Sequence, residues 1–162
     1  MPYRMIAATF LLVALDLATV NSAPAQGVAD IDNAMRAVEM RMRGLNTARK
    51  SLQQMEYHHD DHEADAARDI TDADTIIFTA AVKVFTVAFI AKSVKCPEDI
   101  RFTQKQFGLV TESLVTTADE ELTLVNDKLR IIAAPAALAE ATNIRDLIVD
   151  LRDFLIPFAA KE

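Results

Sequence analysis

Tryptophan is absent from this chain of 162 residues, and cysteine occurs once, at Cys96. A lone cysteine excludes an intramolecular disulfide framework and any site that needs two thiolates, so structural zinc fingers and c-type haem attachment are both ruled out. Glycine is nearly missing, with three residues, and proline has five. That is too few turn-formers for the many short strands of an all-β fold. No glycine-rich phosphate loop and no dinucleotide fingerprint can be built from them. Basic residues are outnumbered, 17 against 24 acids, for a net charge of −7. Such a balance leaves no surplus of cations to displace counterions from nucleic-acid phosphates, and nucleic acid is excluded as a partner.

What is present is apolar and helix-forming: 51% of the residues are hydrophobic. The first of these runs has an order of its own. A basic start (Met1 to Arg4) precedes an apolar stretch from Met5 to Val20, then a small polar end closing on Ala23-Pro24-Ala25. This is the order of a secretory signal peptide, expected to be cleaved after residue 25, leaving 26–162 as the mature domain. Its destination is then extracellular space, a cell wall or, in a bacterium, the periplasm.

Four apolar stripes follow at helical spacing. Over 28–57 the stripe is Ile31, Met35, Val38, Met42, Leu45, Ala48, Leu52 and Met55. A second helix, predicted to start at a Thr71 cap and run to about residue 95, is apolar on nearly every side. Its polar members Thr75, Thr79, Lys83, Thr86 and Ser93 form one thin stripe, and Lys83 at its centre argues against a membrane span in the mature chain. A third helix begins after Cys96-Pro97 and runs on Ile100, Phe107, Leu114, Ala118, Leu122 and Val125 to Ala134-Pro135. A fourth covers 136–158 with Leu138, Ala141, Ile144, Ile148, Leu151, Leu155 and Phe158 on one face. Cys96, at the break, is expected to be a partly buried thiol, or the bridge of a disulfide-linked homodimer. Four amphipathic helices with two tight connections predict an all-α, antiparallel up-down four-helix bundle.

The connection 56–71 is acidic and holds every histidine of the chain. In helical form, His58 and His62 share a face at the spacing that lets two imidazoles grip one metal ion, so an exported metal-binding protein is one reading. The other reading is a solvated acidic linker. Catalysis is not expected. Histidine is confined to this stretch, nothing supplies a nucleophile, base and orienting group together, and no resident cofactor is implied. A di-iron bundle would need Glu-x-x-His on two helices, and only Glu56 with His59 offers it.

The segment Val28-Ala29-Asp30-Ile31-Asp32-Asn33-Ala34-Met35, with Val38, and the ending Ile148-Val149-Asp150-Leu151-Arg152-Asp153-Phe154-Leu155 resemble the fungal hydrophobic-surface-binding proteins and related cell-wall mannoproteins. That resemblance implies a non-enzymatic bundle which adsorbs to apolar surfaces or encloses an acyl chain. The residues lean the same way independently. Met35, Met42, Phe78, Phe85, Phe89 and Phe107 are expected to line a deformable apolar interior, with Lys83 as a partner for a lipid carboxylate. A bundle that binds another protein on its exterior, with no ligand inside, is the competing expectation.

Overall fold

The computed structural model describes residues 31–55 and 61–159, so residues 1–30, with the expected signal peptide, 56–60 and 160–162 lie outside the description. Four helices make an antiparallel up-down bundle: α1 over 31–53, α2 Asp61–Ser93, α3 Pro97–Leu129 and α4 Pro135–Leu155, which runs on into a 3₁₀ turn at Ile156–Phe158. The order around the bundle can be read from pairs that bridge neighbours. Asp32 pairs with Lys92 and Arg49 lies beside Asp74, joining α1 to α2. Asp69 pairs with Lys128 across α2 and α3, and Asp119 with Arg152 across α3 and α4. Arg41 closes the ring to Asp150 on α4, its guanidinium also covering the Phe154 ring at 4.2 Å. Gly44 on α1 faces Leu147 of α4, and a Cβ placed there would meet that side chain in ordinary van der Waals contact at 3.5 Å.

The apolar stripes meet in one core. Leu45, Leu52, Ile77, Leu114, Ile148 and Leu151 are among its fully buried side chains. Each stabilises the fold by roughly 1.5–3 kcal/mol relative to exposure. One predicted stripe member and the cysteine behave otherwise. Leu138 faces outward while Ala137 takes the buried place, because α4 starts at Pro135 and its first turn meets the bundle one position earlier. Cys96 is exposed, not partly buried: it is the N-cap of α3, in the turn at the end of the bundle, where its neighbours Lys95, Pro97 and Glu98 are also exposed.

The largest correction concerns the acidic stretch. Residues 61–71 are the first turns of α2, and Thr71 is a buried mid-helix residue whose hydroxyl donates to the Arg68 carbonyl. Ala64, Ala66 and Ala67 favour helix, and Glu63, Ala67 and Ile70 extend the buried rhythm backwards past the predicted cap. Glu63, for all its charge, is buried at the opposite end of a long reach. It accepts the backbone N–H groups of Ala133 (3.1 Å) and Ala134 (2.7 Å) in the α3–α4 turn. Ala134 is the N-cap of α4 and has no capping side chain of its own, so the Glu63 carboxylate serves the positive end of that helix from across the bundle.

One core hydroxyl is left over. Thr111 is fully buried on α3 and its Oγ1 finds no hydrogen-bond partner. Burial of an unpaired hydroxyl is costly, so Thr111→Val, which keeps the shape, is expected to raise the unfolding free energy by about 1 kcal/mol. Urea denaturation of the two proteins reads this directly; a less stable valine variant would mean the hydroxyl is satisfied.

Candidate functional site

The seven residues expected to line an apolar interior do not share one. Met42 and Phe107 are buried, and Met35 and Phe85 are half-buried against the core. Phe107 meets the ring of Phe158 edge-on at 6.4 Å, and Phe154 is 5.4 Å beyond, an aromatic cluster where the chain leaves α4. Phe78, Lys83 and Phe89 are on the outside of α2. Two depressions are open to solvent instead. One of about 330 Å³ sits between the end of α1 and the start of α2, lined by Leu52, Met55, Ala64, Ala67, Arg68 and Thr71 among others. The other, about 310 Å³, lies between α2 and α3 on Ile76, Thr79, Ala80, Lys83 and Thr117.

Of the proposed metal ligands, His62 is exposed in the first turn of α2, and His58 lies outside the described residues. No group of three or more His, Cys, Asp or Glu side chains is placed to hold a metal ion among the described residues.

A buried charge that the sequence did not single out sits at the α1–α2 seam. Asp74 is 2% exposed. Its Oδ2 is 3.5 Å from Arg49 Nε, and its Oδ1 has no hydrogen-bond partner. Arg49 spends its other nitrogens on Thr75 Oγ1 at 3.0 Å and Asn46 Oδ1 at 2.7 Å. Burial pushes the Asp74 carboxyl up to about 6, and the pull of Arg49 only partly offsets it. The group is buried in the α1–α2 seam, and the geometry suits a structural role.

The unusual surface is the outer side of α2. Inside, this helix packs small residues: Ala67, Ala73, Ala81, Ala88 and Ala91 alternate with Ile70, Ile77 and Val84. Outside it carries the large ones, Ile76, Phe78, Val82, Phe89 and Ile90, each about half exposed or more. Water-soluble bundles place bulk inward; small-inside and large-outside is how helices pack in an apolar solvent. By length and composition α2 could cross a membrane, and only 33% of its most apolar window is buried. The polar stripe predicted for this helix is present on the same side, with Thr75, Thr79, Lys83 and Thr86 all exposed. Three of these threonine hydroxyls donate back to the carbonyl four residues earlier, which lowers their demand for water: Thr75 to Thr71, Thr79 to Thr75 and Thr86 to Val82. On α3, Phe102 is also exposed, at 64%.

Compared with family models, curated proteins and solved structures, the chain matches none. The surface of α2 is therefore the feature on which a functional reading rests.

The sequence did contain a signal for this surface. A helix apolar over most of its circumference holds more apolar area than two neighbours can cover. Phe102 was legible too, since it falls off the stripe that joins Ile100 to Phe107.

Proposed function

We propose that the protein is an exported, non-enzymatic helical bundle that binds apolar matter, a lipid-like molecule or a hydrophobic surface, on the outer face of α2. The observation that carries this reading is the inverted packing of α2, alanines inside and Ile76, Val82, Phe89 and Ile90 outside. Several large apolar side chains exposed on one helix, here on either side of its thin polar stripe, mark a binding face on a water-soluble protein. The half-open groove on Ile76, Ala80 and Thr117 gives a slender chain a place to lie, with Lys83 at its edge for a carboxylate. The likeness of residues 28–38 and 148–155 to hydrophobic-surface-binding proteins supports the same reading.

Adsorption to alkyl-coated beads tests it. The protein is expected to be retained, and Ile76→Ser/Val82→Ser/Ile90→Ser to lose at least about tenfold in apparent affinity with its helical content unchanged. Equal retention of both proteins, or no retention of either, would remove the reading.

A further inference from the structure

Charge is distributed unevenly along the bundle, and the unevenness coincides with the apolar surface. Between residues 75 and 111 the chain carries five bases (Lys83, Lys92, Lys95, Arg101 and Lys105) and two acids, Glu98 and Asp99, although its net charge is −7. The acids concentrate elsewhere, in 61–74 at the start of α2 and in 112–127 on α3. Four of the five bases gather at the α2–α3 turn, at one end of the bundle. Lys95, Arg101 and Lys105 are exposed, and Lys92 is 41% exposed while paired with Asp32. Toward the same end stand two strongly exposed phenylalanines, Phe89 in the last turns of α2 and Phe102 in the first turns of α3, 69% and 64% exposed, and Ile90, about half exposed.

We infer that the α2–α3 tip docks on an anionic lipid bilayer, with Phe89, Ile90 and Phe102 entering the interface and the surrounding bases meeting the headgroups. This inference rests on the apolar-binding reading above and names its partner. Three features select a bilayer over a protein. The rim is lysine-rich, and protein interfaces are depleted in lysine; a lysine stem can instead lie along the acyl boundary while its ammonium stays with the phosphates. The inserted side chains are phenylalanine and isoleucine, with no polar handle for a partner to recognise. A second copy of this chain would bring the same basic rim against itself, at a cost in repulsion. The charge matches too: at this end Lys92, Lys95, Arg101 and Lys105 outnumber the exposed acids Glu98 and Asp99, while the acid-rich stretches 61–74 and 112–127 lie toward the other ends of α2 and α3.

Vesicle flotation with the purified protein tests this. Vesicles of phosphatidylcholine alone are compared with vesicles containing about one-third phosphatidylglycerol, as an anionic surface. Binding to the anionic vesicles is expected to be at least about tenfold tighter, and to weaken as salt is raised. Lys95→Ala/Lys105→Ala is expected to lose about 30-fold on anionic vesicles, at roughly fivefold per cation, and to change little on neutral ones. Phe89→Ser/Phe102→Ser should weaken binding to the anionic vesicles with circular dichroism unchanged. The apolar run 5–20 is common to every form, so differences between forms read the tip. Equal binding to both lipids, or variants that float like the parent, would overturn the inference and leave the apolar-surface reading standing if the alkyl beads still retain the protein. Failure to bind vesicles and beads alike would overturn both. Capture by soluble polyglutamate as tight as by vesicles, indifferent to the phenylalanine changes, would assign the tip to an acidic protein and also overturn it.

Discussion

Glu63→Ala is expected to lower the unfolding free energy by about 2–3 kcal/mol, the range for losing hydrogen bonds to a charged acceptor that are partly shielded from water. Its carboxylate holds the backbone N–H groups of Ala133 and Ala134, and the residues of that turn, Ala133, Ala134 and Pro135, carry no acceptor side chain that could take over. Glu63→Gln keeps an acceptor oxygen and gives up the charge facing the helix dipole, so its cost should be smaller, about 1 kcal/mol. Urea denaturation gives the magnitudes, and amide exchange gives the location: protection should fall first around 133–138. An alanine variant within about 0.5 kcal/mol of the parent would show that the turn is held by packing alone.

The second large effect is a pH dependence. Asp74 carries a folded-state pKa of about 6 against an ordinary 3.8, so the folded chain binds this proton more tightly than the unfolded chain does. Its contribution is therefore one of stability lost as pH rises from about 4 through about 6, and level above that. Asp74→Asn removes the buried charge at constant shape. Arg49 is not stranded by the change, since it keeps Asn46 and Thr75 and is itself 24% exposed. The asparagine variant is expected to be more stable than the parent by about 1–2 kcal/mol at pH 8 and equal to it near pH 3.5. Taking the difference between the two proteins cancels the other carboxylates. One of these is Asp32, whose hydrogen bond from Lys92 holds its pKa below the ordinary value and acts in the opposite sense. An asparagine variant less stable than the parent at pH 8 would mean that the Arg49 pair outweighs the burial of the charge.

The bundle was legible in the sequence because periodicity is a local signal and four separate segments repeat it. The α1 stripe from Ile31 to Leu52, with Met35 half-buried at its edge, and the α4 stripe from Ala141 to Leu155 face the core as their spacing predicts. The start of α2 was misread for an instructive reason. Thr71 followed by Asp72 and Asp74 has the composition of a helix start, yet Asp74 also falls on the three-and-four rhythm of Ile70, Ile77 and Ala81. The burial rhythm prevailed over capping chemistry, and an acid went into the seam with it. The role of Glu63 was beyond any local pattern, since its partners are about 70 positions away in sequence. The functional surface was half legible. An excess of apolar residues on α2 can be counted, but which of them face outward depends on where α1 and α3 lie, so Phe78 and Phe89 were assigned to an interior they do not enter.

The up-down order described for the helices has a kinetic consequence. Each helix pairs with the one before it, α2 with α3 across residues 94–96 and α3 with α4 across 130–134. Pairings of this kind close short loops, which places the chain among low-contact-order proteins that fold in microseconds to milliseconds. The seam of Arg41 with Asp150 and the reach of Glu63 to Ala133 and Ala134 join more distant parts of the sequence. Rapid zippering of the hairpins limits the time for which inner and outer apolar faces of α2 are exposed together, when the chain is most open to aggregation.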